Sequence, residues 1–468
     1  MMPSKERETA GQAGTDAAHR SAALLARMEE APATLWRAKC RVVMGSATFF
    51  DAFSALSLAF ALPVLTSLWH LSSRQAGLLI SIAYVGQLLG AFLFTWIAEK
   101  FGRIPSGTIA VAIMAVMSLG CCFANGFTPL LVCRLVQGIG IGGEMPVAAA
   151  YISELSQARG RGRFFLLYEI IFPVGLMAAG QVGALLVPAF GWKAIFVAAG
   201  IPGLIVALLL ANLPESPRWL ISKGRFDEAE AIVRQMETGD GARGLRSRAP
   251  VTDVAGLDAP PSAGQTRWSE PLSPFYRKRT LIVWSLWACA YFVANGLNNW
   301  MPSLYTSVYH LGLRQSLRAA SMTNVSQVVL VLISAFTIDR IGRRIWTGAC
   351  FVGCGVLLAI LGITGAHTAL AVMIFGTLSY GVLGSANAVL YLYTPEVYPT
   401  RMRAIGTGLA TAWLRIASAT GPILVGLMVD HGGIATVFLV FAGVSALGAL
   451  ASIGMIETRH KRLETIAP

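Results

Sequence analysis

The sequence predicts an all-α membrane protein, with twelve transmembrane helices arranged as two six-helix pseudo-symmetric bundles. Three observations predict it. Of 468 residues, 55% are hydrophobic and only 13% charged, about half the charge of a soluble domain. Apolar stretches near the roughly 20 residues that cross a bilayer recur along the chain. Two loop motifs also recur, in the same order, in each half.

The apolar stretches fall at 42–68, 75–98, 106–124, 128–152, 164–187, 193–213, 280–307, 317–338, 345–364, 368–394, 404–428 and 434–456, numbered here as spans 1 to 12. Basic residues set their direction. Arg37, Lys39 and Arg41 precede span 1, and Lys100 and Arg103 follow span 2. Arg159, Arg161 and Arg163 follow span 4, and Arg340, Arg343 and Arg344 follow span 8. Arg401 and Arg403 follow span 10, while Arg459, Lys461 and Arg462 follow span 12. The opposite loops are short and nearly uncharged, so both termini are expected in the cytoplasm and the chain as a multi-pass membrane protein. The net charge of +13 is thereby read as orientation, and no nucleic-acid partner is expected.

Residues 1–38 read as a polar cytoplasmic tail, disordered or loosely helical, and 39–213 as the first six-helix bundle. Residues 214–278 read as a cytoplasmic linker. It opens with short amphipathic helices at PESPRWLISKGRFDEAEAIVRQM and ends in a Gly-, Ala-, Pro- and Ser-rich flexible stretch from Thr238 to Thr266. Residues 279–457 form the second bundle and 458–468 a cytoplasmic tail.

The repeat is explicit. AEKFGR (Ala98 to Arg103) follows span 2, and IDRIGRR (Ile338 to Arg344) follows span 8. Glu154 stands seven residues before Arg161 after span 4, and Glu396 seven before Arg403 after span 10. From Glu99 to Glu154 is 55 residues and from Asp339 to Glu396 is 57. Ordered motifs at matched spacing indicate duplication, and parallel six-span repeats with a midplane site are a known transporter architecture.

At these residues the chain resembles the major facilitator superfamily over nearly its whole length. The loop motif is clean at Asp339, Arg340, Gly342, Arg343 and Arg344. It is worn in the first half, where Glu99 and Lys100 replace the usual pair and Thr95 stands for glycine. Arg134-Leu-Val-Gln137-Gly138 matches the superfamily's span 4 motif, and Pro214-Glu215-Ser216-Pro217-Arg218-Trp219 is the mark of its sugar-porter and organic-ion branches. With Asp51 inside span 1 and Arg415 inside span 11, the chain is most similar to bacterial niacin and aromatic-acid permeases. The resemblance implies the superfamily fold, alternating access, uptake, a monomer and a place in a bacterial inner membrane.

Charges inside spans are costly and point to function. Asp51 and Arg134 are expected to pair within the membrane and, with Glu144 lower in span 4, to couple transport to protons; the bland alternative is a static ion pair. Glu169, near the cytoplasmic end of span 5, reads as a gate or interface residue. Arg415 sits near mid-membrane with no acid in its own half to neutralise it, and its planar fork suits an anionic carboxylate; the alternative is a structural arginine satisfied by backbone carbonyls or reaching across to Glu144. Tyr84, Gln87, Asn298, Asn299, Asn324, Gln327, Tyr380 and Asn387 are candidate substrate contacts, although each taken alone is more often a helix–helix hydrogen bond. Glu99, Lys100, Arg103, Glu154 and Arg161 are expected to face Asp339, Arg340, Arg343, Glu396 and Arg403 across the bundle as a cytoplasmic gate; the bland alternative is a topology signal only. Trp69, Trp192 and Trp284 read as interfacial anchors.

The chain spells G-x-G-x-x-G at Gly138, Gly140 and Gly143, but inside a continuous apolar helix rather than after a strand, which excludes a dinucleotide site. No P-loop, HExxH or G-x-S-x-G is present, and the seven cysteines lack metal-type spacing. The expectation is a secondary transporter, not an enzyme, using no cofactor and driven by the proton gradient. Its substrate would be a small aromatic carboxylate such as nicotinate. A sugar or polyol porter, an organic cation or drug exporter, and a non-transporting membrane sensor are the alternatives.

Overall fold

The computed structural model describes residues 19–32, 34–155, 168, 170–238, 270–399 and 402–459, apart from the side chains of 404 and 430–432. Within them twelve helices are long and apolar enough to cross a membrane. They are span 1 (Leu35–Trp69), span 2 (Ser73–Phe101), span 3 (Arg103–Cys122), span 4 (Phe127–Leu155), span 5 (Ile171–Phe190) and span 6 (Lys193–Ala211). Span 7 (Arg277–Ser307), span 8 (Leu313–Ile341), span 9 (Arg343–Ile363), span 10 (Ala369–Glu396), span 11 (Ile405–Val429) and span 12 (Gly433–Ile453) follow. Large apolar side chains such as Phe190, Leu208, Phe336 and Leu370 point outward, as expected where lipid is the solvent.

Several helices outrun the apolar stretches that foretell them. Span 1 starts at Leu35, because Thr34 caps it by accepting the N–H of Arg37. Span 2 starts at Ser73 behind a capping box in which Ser72 and Gln75 bond reciprocally. A polar turn outside the bilayer adds no apolar signal, but its cap satisfies the first free N–H groups.

The duplication is visible in the packing. Span 4 lies against spans 2 and 3 as span 10 lies against spans 8 and 9. The glycines of span 4 make this possible on the first side: a Cβ on Gly142 would lie 2.0 Å from the carbonyl oxygen of Gln87, and one on Gly90 2.0 Å from that of Ile139. The two backbones touch, as small residues permit in lipid. At each loop motif the glycine turns left-handed, Gly102 with φ 114° and Gly342 with φ 98°, a region that disfavours any other residue.

The halves meet along spans 1 and 7, 2 and 11, and 5 and 8. The face opposite the linker is drawn tight. A Cβ on Gly77 would meet the Pro422 carbonyl oxygen at 2.7 Å, one on Gly426 the Ser73 carbonyl oxygen at 2.5 Å, and one on Gly180 the Cα of Ser321 at 3.3 Å. The structure is closed on that far face.

At the linker face, residues 19–30 form a helix in the tail expected to be disordered or loosely helical. It packs Leu24 and Met28 against Ala229, Val233 and Met236 of the amphipathic helix Phe226–Thr238. Arg27 bonds Glu237 at 2.8 Å, Glu29 pairs with Arg218 at 2.7 Å, and Arg37 donates to the carbonyls of Met28 and Ala31. So short a helix owes its stability to such a partner. The expected flexible stretch from Thr238 to Thr266 lies, beyond its first residue, outside the described residues, as do Arg161 and Glu169.

Candidate functional site

A cavity lies between the halves near mid-membrane. From the first half it is lined by Asp51, Tyr84, Gln87, Met145 and Phe172. From the second come Tyr291, Asn295, Asn298, Asn299, Gln327, Tyr380, Asn387, Tyr391 and Arg415. Of the expected substrate contacts, Arg415, Tyr84, Gln87, Asn298, Asn299, Gln327, Tyr380 and Asn387 thus meet in one place. Asn324 does not line it: it is fully buried behind the wall, where its Oδ1 accepts from Asn298 at 3.2 Å.

Much of this polar lining is already engaged. The Tyr84 hydroxyl donates to Asn295 Oδ1 at 3.0 Å and accepts from Asn299 Nδ2 at 3.1 Å, which ties span 2 to span 7. Asn295 donates onward to Ser418. Asn298 donates to the Tyr380 hydroxyl, and Tyr380 to Gln327 Oε1, each at 3.0 Å. Asn387 Oδ1 is buried without a hydrogen-bond partner.

The charges pair differently from the expectation. Arg134, 2% exposed, does not hold Asp51. It donates to Gln137 Oε1 and to the carbonyls of Ser54 and Ala55, and Gln137 bonds Ser118 in turn. Span 1 presents its backbone carbonyls to Arg134 and turns Asp51 toward the cavity instead. Asp51 is 1% exposed, and its charged neighbours are Glu144 in its own half and Arg415 in the other. Arg415, 7% exposed, donates from Nη1 to the Thr411 carbonyl and has Asp51, Tyr291 and Tyr391 around it. The acid that acts on it electrostatically, Asp51, thus lies in the opposite half.

Sequence reading missed the aromatic wall beside Arg415. Trp287 stacks on Tyr291 with ring centroids 5.6 Å apart and meets Tyr391 edge-on at 4.6 Å, while its indole N–H is held by Thr394 at 2.8 Å. Residues 287, 291, 391 and 394 recur at helical spacing on two spans, which looks like ordinary core until the spans are placed. Trp192, read as an interfacial anchor, is instead buried edge-on against Trp69, and Trp284 lies beside Trp413.

At the linker face the expected gate is resolved into two clusters, one in each half. Arg103 bonds Glu99 and Glu154, both at 2.9 Å, and Arg343 bonds Asp339 at 2.9 Å and Glu396 at 3.4 Å. These pairs stay within their halves and do not bridge the bundle. Lys100 sits over the Trp96 and Phe101 rings, Arg340 is exposed, and Arg403 donates to the Tyr398 carbonyl. Two carboxylates not singled out from sequence complete the clusters. Glu215 accepts the N–H groups of Arg103 and Ile104 at 3.0 and 3.2 Å, and Glu457 those of Arg343 and Arg344 at 3.0 and 3.1 Å. Burial pushes the Glu215 carboxyl above its usual range, against the opposing pull of these N–H bonds.

A cavity between duplicated halves, shut on one face and with the described motif charges paired within their own halves on the other, agrees with what comparison finds. The chain is 33% identical to the niacin transporter NiaP of Acinetobacter baylyi, over 95% of this chain and 99% of that one. It is 28% identical to the organic cation/carnitine transporter 7 of Arabidopsis thaliana, over 82% of this chain and 83% of the other. Among solved structures, the partially occluded inward-open form of the xylose transporter XylE from E. coli superposes with a TM-score of 0.70. It is 16% identical and covers 89% of this chain and 98% of XylE. The model of the sugar (and other) transporter family matches residues 25–468, and the chain belongs to that family of major facilitator superfamily membrane transporters.

Proposed function

We propose that the protein takes up a small aromatic carboxylate such as nicotinate together with a proton. The observation that carries this reading is the position of Arg415, a buried arginine that lines the cavity together with Asp51 of the opposite half. An incoming carboxylate competes with Asp51 for Arg415 through charge-assisted bonds. Once displaced, Asp51 is left in a water-poor site without its counter-ion and takes up a proton. One carboxylate and one proton therefore enter together, and the net charge in the cavity is unchanged. Tyr291 and Tyr391 offer aromatic faces for the ring, and Asn387 an unused acceptor for a donor on the substrate.

Access alternates between faces, and the proton gradient supplies the drive without a cofactor. With the far face shut and the linker face taken as cytoplasmic, the structure corresponds to the inward-facing state, and the two gate clusters would bridge the halves in the outward-facing one. A second reading is a sugar or polyol porter, favoured by the amides at 295, 298, 299 and 327, which suit hydroxyl groups. Against it, a neutral ligand leaves Arg415 unused. A cationic substrate would be repelled by it.

Uptake into proteoliposomes of radiolabelled nicotinate, benzoate, a hexose and an organic cation, with and without an inward proton gradient, tests this. Acid uptake should be gradient-stimulated and fall roughly 10- to 100-fold in Arg415→Gln, the range set by about 1.5–3 kcal/mol for a charged hydrogen bond. Hexose uptake indifferent to Arg415 would return that arginine to a structural role.

A further inference from the structure

Trp287 lies behind the two tyrosines of the cavity wall. It is fully buried and does not line the cavity itself, whereas Tyr291 and Tyr391 do. Tyr291 stands four residues further along span 7, on the same helix face. Its ring is parallel to the indole, with 6° between the planes and centroids 5.6 Å apart. Tyr391 comes from span 10 and meets the indole edge-on, at 82° and 4.6 Å. Since one tyrosine is parallel to the indole and the other close to perpendicular, the two are close to perpendicular to each other. They form a right-angled aromatic corner beside Arg415.

The indole is fixed in turn. Its N–H donates to the Thr394 hydroxyl at 2.8 Å, and that hydroxyl donates to the Leu390 carbonyl at 2.7 Å. Thr394 is fully buried and lies three residues after Tyr391, on the same face of span 10. The bond that holds the indole therefore joins the two helices that carry the tyrosines. For packing alone, an apolar side chain at 287 would bury as much carbon with no polar group to satisfy. What the indole adds is a fixed orientation.

A corner of this kind suits a flat ring, which can stack on one wall and turn its edge to the other. A saturated ring of the same size has no π-face to offer. Burial by itself would favour the saturated ring, which presents more apolar surface, so the two effects act in opposite directions.

We propose that Trp287, pinned by Thr394, is a positioning residue that sets the angle between Tyr291 and Tyr391, and that the cavity thereby selects planar aromatic acids over alicyclic acids of the same size. The carboxylate reading above is deepened and relied on here: Arg415 holds the charge, and the corner reads the ring.

Ligand-observed NMR titration of the purified full chain in lipid nanodiscs measures the selection with two matched pairs. One is benzoate and cyclohexanecarboxylate; the other is their neutral amides, benzamide and cyclohexanecarboxamide. In the wild type the aromatic member of each pair should bind roughly 2- to 10-fold more tightly, the range of a favourable aromatic contact. Trp287→Leu and Thr394→Val should bring both ratios to one or below, whereas Thr394→Ser, which keeps the hydroxyl, should retain them. A role in packing alone would weaken all four ligands by a common factor and leave the ratios unchanged, and that result would overturn the proposal. So would a wild type that shows no aromatic preference or binds neither benzoate nor benzamide. If Trp287→Leu does not fold, the contrast between Thr394→Val and Thr394→Ser decides. Failure of the carboxylate reading registers separately: Arg415→Gln should weaken the two acids alike and keep their ratio, and if the acids were indifferent to Arg415 the amide pair would still report the corner.

Discussion

Glu215 and Glu457 hold the same position in the two halves. Each follows the last span of its half and returns to the glycine of the loop motif, where it closes the N-terminus of the next helix. A Cβ on Gly102 would lie 2.2 Å from a Glu215 carboxyl oxygen, and one on Gly342 2.5 Å from a Glu457 carboxyl oxygen. The motif glycine therefore serves two needs, a left-handed backbone and room for a carboxylate on the freed N–H groups. In this way the end of each six-helix half is tied to its own gate cluster.

Glu215→Ala removes an acceptor for two backbone N–H groups and should lower stability by about 0.5–2 kcal/mol, the range of a lost cap. Glu215→Gln keeps an acceptor oxygen and should cost less. The pH dependence separates them further. Because burial raises this carboxyl above its ordinary value of 4.5, its contribution is fully present below that value and is lost as pH rises through the higher folded value. The wild type should lose this increment of thermal stability from about pH 4.5 upward, and Glu215→Gln should flatten that part of the profile. A Gln variant with the wild-type slope would show that another group is responsible.

Contact between spans 2 and 4 makes a sharper prediction. At Gly142 a methyl group would lie 2.4 Å from the Gln87 Cα as well as 2.0 Å from its carbonyl oxygen, and backbone cannot step aside as a side chain can. Gly142→Ala should cost 3 kcal/mol or more, beyond the ~1–3 kcal/mol usual for overpacking, and appear as loss of monodisperse protein on size exclusion. Gly443→Ala, where nothing lies within 4 Å, should behave as wild type.

Closure of the far face should respond to one hydroxyl. Tyr84→Phe removes the group that bonds both Asn295 and Asn299 across the halves. At about 0.5–1.5 kcal/mol for a neutral hydrogen bond, the far-closed population should fall by roughly 2- to 10-fold relative to the open one. A cysteine placed at Ser73 should then react faster with an impermeant thiol reagent from that side. Unchanged labelling would mean that the glycine contacts alone hold the face shut.

The membrane architecture was legible because each span announces itself by length, and the repeat because Glu99, Glu154, Asp339 and Glu396 fall at matched spacing. The pairing of charges was not. Asp51 and Arg134 are both buried in the first half, and sequence distance made them natural partners. Yet a helix offers carbonyls on one side and a side chain on another, and span 1 gives Arg134 its carbonyls while turning Asp51 to the cavity that Arg415 also lines. Tyr291 and Tyr391 were hidden for a similar reason, since an aromatic in a span has no signal that distinguishes a cavity wall from a packed core. The described residues expected at the gate pair within separate halves, a grouping that depends on which face is closed, which spacing does not encode.

That rearranged pairing can be read from a double-mutant cycle. Removing one member of a buried charge pair leaves the other uncompensated and typically costs about 3–5 kcal/mol, whereas removing both is nearly neutral. Arg415→Gln alone should therefore lower the thermal midpoint more than Asp51→Asn with Arg415→Gln together, although the double variant carries more changes. The same cycle with Arg134→Gln should show no such recovery, because Arg134 is held by Gln137 and by span 1 carbonyls that Asp51→Asn leaves in place. Transport adds a second readout: Asp51→Asn should retain exchange of labelled for unlabelled acid but lose accumulation against a gradient. If instead Arg134→Gln were the variant rescued by Asp51→Asn, the working pair in the transport cycle would lie within the first half, and Arg415 would be free for the substrate throughout.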